Sequence, residues 1–211
     1  MSGAGTGATT PGEADALREG LARYFTGDEL ARLRAARVGI AGAGGLGSNV
    51  ALMLARSGVE DMLIVDHDVV DASNLNRQQF WPRHVGRPKV EALGELLREL
   101  NPHIRLKLVN ARLDEATLPG LLSACPLWVE ALDAADSKTL LVEQALTSGR
   151  RIASASGVAG VGGAPMRRRR LGNLVLVGDF ETDVADAPPL APRVTQAAAL
   201  LADAVLEFIL V

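Results

Sequence analysis

A glycine-rich turn between an apolar run and a helical pattern constrains the fold of this 211-residue chain more than any other feature. Residues 37–41 form a short apolar run, residues 42–47 follow the G-x-G-x-x-G spacing, and residues 48–57 repeat apolar side chains at helical intervals. Glycines permit a tight turn and let backbone N–H groups approach a phosphate at a helix N-terminus. The pattern predicts the first βα unit of a nucleotide-binding domain, although a tight turn without a ligand would have the same spacing.

The rest of the chain alternates short apolar runs with patterns of helical period. The apolar runs predict strands at residues 62–65, 104–109, 126–132 and 152–156. The helical patterns predict helices over residues 13–25, 26–36, 87–100, 118–124, 137–148 and 194–211. Thr26 and Glu29 have the spacing of a capping box at the start of the second helix. Strands that alternate with helices in this way imply a Rossmann-like α/β fold with a doubly wound, mostly parallel sheet.

The C-terminal part of the chain follows a different pattern. Residues 165–171 and 174–178, separated by Gly172 and Asn173, predict an antiparallel hairpin with a type I′ or related turn. We expect this hairpin to lean on the sheet instead of continuing it. The acidic, proline-rich residues 180–192 predict a crossover loop before the terminal helix.

Composition narrows the class of protein. With 48% hydrophobic and 22% charged residues, the chain is typical of a folded domain. Residues 1–12 lack the features of a secretory signal and predict a flexible tail, and residues 194–211 are too short and too charged to span a membrane. A single cysteine excludes an intrachain disulfide. The net charge of −3 and the 3% aromatic content argue against nucleic acid binding, so we expect a cytoplasmic protein that binds neither nucleic acid nor membrane.

Asp66 ends the second predicted strand, about 20 residues after the glycine turn, where an acidic side chain accepts hydrogen bonds from ribose hydroxyls. The polar residues that follow include Arg77 and lead to Lys89 at the start of a predicted helix. The guanidinium of Arg77, with its forked N–H donors, and the compact ammonium of Lys89 suit the charge of a triphosphate, whereas NAD binding has no evident need for them. A solvated helix N-terminus is the plainer interpretation of Lys89, but a cation there opposes the helix dipole. The pattern favours a nucleotide triphosphate.

The chain resembles the ThiF/MoeB/HesA family of ubiquitin-activating-like adenylyltransferases in four segments, which read GAGGLG, VDHDVV, SNLNRQ and GRPK. The resemblance runs from about residue 17 to the C-terminus. The short length and the segments EALDAADSK, SASGVAG and APR are most similar to the short, divergent ThiF branch linked to thiamine biosynthesis. The resemblance implies a single ATP-binding adenylyltransferase domain over residues 13–211.

The resemblance also implies which residues bind ATP and Mg²⁺. The family's nucleotide-binding residues correspond to Gly44, Gly45, Asp66, Ser73, Asn74, Arg77, Lys89 and Arg112. Arg77, Lys89 and Asp133 would be catalytic, because the first two neutralise phosphate charge and Asp133 matches the aspartate that the family uses near Mg²⁺. Ala134 follows Asp133 where the family commonly has asparagine. Relatives complete the site with an N-terminal arginine, often across a dimer, and Arg18 and Arg23 are both candidates.

The implied reaction transfers AMP from ATP to the C-terminal glycine carboxylate of a small ubiquitin-like sulfur carrier, similar to ThiS and ending in Gly-Gly, and releases pyrophosphate. We expect a homodimer. Residues 180–192 contain no cysteine, unlike the crossover loop of some relatives, so sulfur transfer would require a partner. We interpret Cys125 as a packed small hydrophobe. Three alternatives stay open: an NAD-dependent oxidoreductase, a non-catalytic carrier-binding module of the same fold, and activation of a modified tRNA base.

Other charged residues carry weaker predictions. Alternate residues of a strand point to opposite faces, so Arg167–Arg170 predict a solvated, charge-protected edge strand, with docking of an acidic carrier as the alternative. We expect His67, His84 and His103 at the surface or in loops. Asp68 either supports the pocket or Mg²⁺, or is an ordinary loop carboxylate.

Overall fold

A computed structural model describes residues 11–211 of the chain, with side chains from Asp15 onward. Residues 1–10 of the predicted tail therefore lie outside the described residues. Pro11 and Gly12 already belong to the first helix, which ends at Leu21, earlier than the sequence predicts.

The chain alternates helices and strands, as predicted. The helices are α1 Pro11–Leu21, α2 Gly27–Ala35, α3 Gly45–Arg56, α4 Lys89–Leu100, α5 Leu118–Leu122, α6 Ala135–Thr147 and α7 Ala191–Leu210. The strands are β1 Arg37–Ala41, β2 Asp61–Asp66, β3 Arg105–Asn110, β4 Leu127–Glu130, β5 Arg151–Ala155, β6 Arg167–Leu171 and β7 Leu174–Gly178. Two 3-10 turns, Ala72–Asn76 and Pro82–His84, connect β2 to α4. The predicted capping box before α2 is confirmed, since the Thr26 hydroxyl accepts from the Glu29 N–H and the Glu29 side chain accepts from the Thr26 N–H.

The seven strands form one sheet in the order β3-β2-β1-β4-β5-β7-β6, parallel throughout except for β6. The chain moves outward from β1 through β2 to β3 and then returns to place β4 on the other side of β1. The strand order therefore reverses between β1 and β4. In open α/β sheets, ligands bind at such a reversal, outside the carboxyl ends of the strands.

The predicted position of the C-terminal hairpin is wrong. β7 pairs in parallel with β5, from Ile152 with Leu174 to Ala155 with Val177, and β6 pairs with β7, so the hairpin continues the sheet. The hydrogen-bonding edge of β5 needs a partner, and the alternate buried side chains of β7 pack under α7. Gly172 has φ +60° and no left-handed residue follows it, which is the pattern of a type II′ turn.

Two apolar clusters cover the two faces of the sheet. One joins α3, α4 and α7 to the strands, and the other joins α5 and α6. Trp128 of β4 is fully buried in the second cluster and lies against Gly39 of β1, where a Cβ atom would approach the indole to 2.5 Å. Fully burying a large apolar side chain contributes about 1.5–3 kcal/mol, so these layers hold the strand ends in register around the reversal.

The edge strand β6 carries four successive arginines, and the prediction of a charge-protected edge is confirmed. Arg168 and Arg170 form ion pairs with Glu207 of α7, on one face of the strand. On the other face, the guanidinium of Arg169 lies 4.7 Å from the centre of the Phe180 ring. Charged side chains on both faces oppose pairing with another strand. In the part of the chain from Pro11 onward, no helix has the length and apolar character needed to cross a membrane.

His84 lies in the connection between β2 and α4, as one of the two predicted alternatives, but its side chain is fully buried and not at the surface. The His84 Nδ1 accepts a hydrogen bond from the Trp81 N–H at 3.1 Å, and the Phe80 ring lies edge-on to the imidazole. The second 3-10 turn thus closes around the imidazole. His67 is exposed, and His103 lies in the loop between α4 and β3, both as expected. His103 is partly buried and bonds to Asp15 at 2.9 Å.

Candidate active site

A cleft opens at the carboxyl ends of the strands, where the strand order reverses. Its volume of about 540 Å³ lies within the range of small-molecule sites. One wall is made by the glycine turn and by the segments that follow β2 and β3. The opposite wall is made by the segments that follow β4, β5 and β7. The cleft therefore has a β1–β3 side and a β4–β7 side.

The glycine turn packs without room for side chains at two positions. A Cβ atom at Gly42, which has φ +97°, would lie 2.4 Å from the Ala131 carbonyl oxygen. A Cβ atom at Gly47 would lie 1.8 Å from the Gly42 carbonyl oxygen. Gly44, the N-cap of α3, and Gly45, its first residue, line the cleft together with Gly42. The turn thus presents bare backbone to the cleft at a helix N-terminus, where N–H groups favour anions.

Asp66 holds the glycine turn against the end of β2. Its Oδ2 accepts the Ala43 N–H at 2.6 Å, and its Oδ1 accepts the Asp68 N–H at 2.8 Å. The carboxylate lines the cleft and is only partly buried. Since each carboxylate oxygen can accept a second hydrogen bond, Asp66 can hold the turn and still bind a hydroxyl of a ligand.

Lys89 begins α4 and lines the cleft, although its exposed fraction is only 7%. Its Nζ lies 2.7 Å from Asp68 Oδ2. This hydrogen bond is the main reason that the pKa of Asp68 lies below its usual range, so the carboxylate is charged at neutral pH. Asp68 therefore supports the pocket by holding the lysine in place.

The first 3-10 turn carries two further predicted residues to the cleft wall, Asn74 and Arg77. Asp71 caps this turn, and the Asn74 side chain accepts the Asp71 N–H at 3.0 Å. Arg77 donates to the Ser73 carbonyl oxygen at 3.1 Å and to the Asn76 side chain at 2.8 Å. The guanidinium is thus positioned by its own turn. Within the described residues, Ser73 takes part through its backbone and does not line the cleft.

A polar residue of α3 that the sequence analysis did not single out joins the glycine turn to this arginine. Asn49 is almost fully buried and donates to the carbonyl oxygens of Gly45 at 2.6 Å and Arg77 at 3.1 Å. The Gln79 amide donates back to Asn49 at 2.6 Å. The signal was an asparagine on the buried face of an otherwise apolar helix, because buried amides are retained where they have partners.

Asp133 follows β4 and stands on the cleft wall, exposed to solvent. Among the described residues, no hydrogen bond or ion pair engages its carboxylate, which can therefore bind a cation. Ala111 and Leu113, after β3, give the cleft an apolar surface. Arg112, between them, is exposed and points into a neighbouring groove, so within residues 11–211 it does not join the cleft.

A second missed residue, Glu130, supports Asp133. Glu130 is fully buried at the end of β4, and its carboxylate accepts the Lys138 ammonium and the Ser154 hydroxyl. Its other oxygen accepts the Leu132 N–H at 2.7 Å, which sets the direction of the segment that leads to Asp133. Lys138 also lines the cleft. A glutamate within a run of buried apolar residues was the available signal, since such a carboxylate needs a paired cation.

The two candidate N-terminal arginines lie away from the cleft of their own chain. Arg18 forms two hydrogen bonds with Glu60, at 2.8 and 2.7 Å. Glu60 directly precedes β2, at the end of the sheet opposite the cleft. Arg23 is exposed and does not line the cleft within the described residues.

Asp66, His67 and Asp68 bring three possible metal ligands within 4.8 Å of one another. The carboxylates, however, already serve other partners: Asp66 binds the Ala43 N–H, and Asp68 binds Lys89. The cluster is explained by the support that it gives to the glycine turn and to the lysine.

Cys125 is fully buried, and the interpretation as a packed small hydrophobe is confirmed. Burial raises the pKa of the thiol to about 11, so almost no reactive thiolate forms at neutral pH. We expect iodoacetamide at pH 8 to leave the folded protein unmodified and to alkylate it once after denaturation, as read by intact mass. Rapid labelling of the folded chain would contradict this burial.

The chain is similar to known proteins over most of its length. The profile of the ThiF family matches residues 18–206. The adenylyltransferase and sulfurtransferase uba4 of Aspergillus fumigatus is 40% identical over 126 residues, which make up 59% of this chain and 26% of that protein. The molybdopterin-synthase adenylyltransferase of Escherichia coli is 39% identical over 117 residues, or 55% of this chain and 47% of that protein. The chain thus spans less than half the length of these curated relatives.

A solved structure shares the fold over nearly the whole chain. The tRNA N6-threonylcarbamoyladenosine dehydratase TcdA of E. coli, in complex with ATP, superposes with a TM-score of 0.83 at 20% identity and covers 96% of both chains. The family match, which spans most of the chain, decides the assignment: the chain belongs to the ThiF family.

Proposed function

We propose that the chain is an ATP-dependent adenylyltransferase that transfers AMP to the C-terminal glycine carboxylate of a small ubiquitin-like sulfur carrier and releases pyrophosphate. Residues 13–211 would form its single ATP-binding domain. One observation carries the proposal: Arg77 after the first 3-10 turn, Lys89 at the start of α4 and Asp133 after β4 line one cleft beside a glycine turn. A cation pair and a carboxylate in that position suit a triphosphate and its metal ion.

ATP would lie along the β1–β3 side of the cleft. The bare backbone of Gly44 and Gly45 suits phosphates, Asp66 can accept ribose hydroxyls, and the apolar surface near Leu113 suits adenine. The ATP complex of TcdA supports this proposal, because TcdA shares the fold over 96% of the chain.

The chemistry would rest on alignment and charge. A carboxylate is already nucleophilic, so the attack on the α-phosphorus needs no general base. Arg77 and Lys89 would stabilise the charge on the phosphate oxygens, and their own hydrogen bonds hold them in place before the reaction. Asp133 fits Mg²⁺, since its carboxylate offers oxygen ligands on the cleft wall; a bound Mg²⁺ would supply further neutralisation of phosphate charge.

The proposal also specifies the kind of carrier. Two curated relatives are named for adenylyl transfer in molybdopterin synthesis and for combined adenylyl and sulfur transfer. We propose a carrier similar to ThiS, ending in Gly-Gly and acting in thiamine biosynthesis in the cytoplasm, because the segments EALDAADSK, SASGVAG and APR resemble that branch. A homodimer would let Arg18 or Arg23 reach the cleft of the other copy.

A second candidate function is activation of a modified base in tRNA. The observation in its favour is the match to TcdA, a tRNA-modifying protein of the same fold and nearly the same extent. Against it stand the net charge of −3 and the low aromatic content. An oxidoreductase that uses NAD leaves Arg77 and Lys89 without a role.

Pyrophosphate exchange into ATP tests these alternatives directly. The purified chain is incubated with Mg²⁺, ATP and labelled pyrophosphate, in three parallel reactions: without acceptor, with a Gly-Gly carrier, and with tRNA. We expect exchange only with the carrier. Exchange that requires tRNA would support the second candidate, and carrier binding without exchange in any reaction would indicate a non-catalytic module.

A further inference from the structure

We propose that the buried ion pair between Arg193 and Asp179 positions the β4–β7 side of the cleft and thereby sets the affinity for the carboxylate substrate without affecting ATP. The proposal rests on the proposed function. Neither residue lines the cleft within residues 11–211, so each would act as a positioning residue through the loops that it holds.

Arg193 lies in the first turn of α7 with only 7% of its surface exposed. Its guanidinium donates to the carbonyl oxygens of Gly162 and Ala164, in the loop that follows β5. The same guanidinium pairs with Asp179, the residue that follows β7. One side chain therefore ties together the loop after β5, the end of β7 and the start of α7.

Asp179 extends this connection to the next loop. It is fully buried; one oxygen accepts the N–H groups of Glu181 and Thr182, each at 2.9 Å, and the other accepts the Thr182 hydroxyl at 2.8 Å. The Thr182 hydroxyl also accepts the Ala159 N–H at 3.2 Å. Burial favours the neutral carboxyl, but these hydrogen bonds and Arg193 outweigh it and lower the pKa of Asp179 to about 2.

The two loops that meet at this ion pair form much of the β4–β7 side. Gly157 and Val158 come from the loop after β5, and Thr182 and Val184 come from the loop after β7; all four line the cleft. The residues that suit the nucleotide itself lie on the β1–β3 side, and Asp133, after β4, is the one residue of the β4–β7 side that we assign to the metal ion of ATP. Once ATP occupies the β1–β3 side, the remaining wall is the surface on which an incoming carboxylate and the chain attached to it must lie.

The loop after β5 packs closely on the Asp179 carboxylate. A Cβ atom at Gly157, which has φ +77°, would lie 2.0 Å from Asp179 Oδ1, so the backbone of the first loop packs directly on the carboxylate. Removal of the guanidinium leaves a buried, unpaired carboxylate at this contact. We expect the carboxylate to turn toward solvent and to carry both loops with it.

The test compares Arg193→Met and Arg193→Lys with the control Arg168→Met, which removes an ion-paired arginine at the sheet edge, away from the cleft. Isothermal titration gives the Kd for ATP, and adenylylation of a Gly-Gly carrier at saturating ATP gives the carrier KM. We expect Arg193→Met to raise the carrier KM about tenfold or more with the Kd for ATP unchanged, because small misplacements at a site have effects of this size. Arg193→Lys should recover part of the loss, and the control should match wild type.

An unchanged carrier KM, or an equal loss of ATP affinity, would overturn the proposal. If Arg193→Met does not fold, Thr182→Val keeps the ion pair and removes the hydroxyl bridge between the loops, at a position that itself lines the cleft. That variant should raise the carrier KM alone, and an effect on ATP alone would overturn the proposal.

If the wild-type protein does not adenylylate the carrier, the proposed function itself is wrong. Hydrogen exchange then reports on the positioning role by itself. Faster exchange in Arg193→Met across residues 157–166 and 180–190, with unchanged exchange at the glycine turn, would sustain that role. Identical hydrogen exchange in Arg193→Met and wild type would overturn the positioning role.

Discussion

We expect replacement of Lys89 with alanine to lower the rate of the proposed AMP transfer on the order of a hundredfold or more, the loss that follows when one preorganised donor to a developing phosphate charge is removed. Lys89 is nearly buried and is fixed by Asp68 at 2.7 Å, so water cannot readily supply an equivalent charge at that position. The measurement is kcat at saturating ATP and carrier. Lys107→Ala is the matched control, since Lys107 is an exposed lysine of β3.

Arg77→Ala should cause a loss of similar size, for a related reason. Its guanidinium is oriented by Asn76 and by the Ser73 carbonyl oxygen, and Asn49 holds the Arg77 backbone to α3. If the Lys89 and Arg77 variants both keep the wild-type rate, charge neutralisation by these two residues is not the source of catalysis.

The second large effect is expected at Gly47. In Gly47→Ala, the new Cβ atom would lie 1.8 Å from the Gly42 carbonyl oxygen and 2.8 Å from its carbon, so the backbone of the turn must move. We expect a loss of about 3 kcal/mol in the free energy of unfolding, as found for strong overpacking, together with loss of measurable ATP binding. Urea denaturation and isothermal titration give the two quantities.

Gly120→Ala is the control for this variant. Gly120 lies in α5, and a Cβ atom there meets nothing within 4 Å. Alanine in place of glycine in a helix stabilises it by about 0.5–1 kcal/mol, so the control should bind ATP normally and unfold no earlier than wild type. Gly47→Ala protein that binds ATP as tightly as wild type would show that the turn can relax.

The βα units were predictable from the sequence because their signals are local. The glycine turn, the strand before it and the carboxylate that ends β2 lie within one short stretch, and each element has its own period. The hairpin was misplaced for the opposite reason: its strands are evident locally, but pairing between β7 and β5 depends on contacts with α7, more than a dozen residues away.

The candidate site divides in the same way. Asp66, Arg77 and Lys89 were named because they occur in motifs, and the fold brings them to one cleft. Glu130, Asn49 and Arg193 were missed, since a buried polar residue shows its role only when its partners are known, and those partners lie in other elements. The side chains of Ser73 and Arg112 do not reach the cleft because of the direction of the local backbone. The sequence carries no signal for that direction.

Intact mass of the carrier tests the central claim most directly. The chain is incubated with ATP, Mg²⁺ and a carrier that ends in Gly-Gly, alongside the same carrier without its last glycine. The account predicts a mass increase of one AMP group on the complete carrier and none on the shortened one. A complete carrier that binds the chain and stays unmodified in the presence of ATP would contradict it.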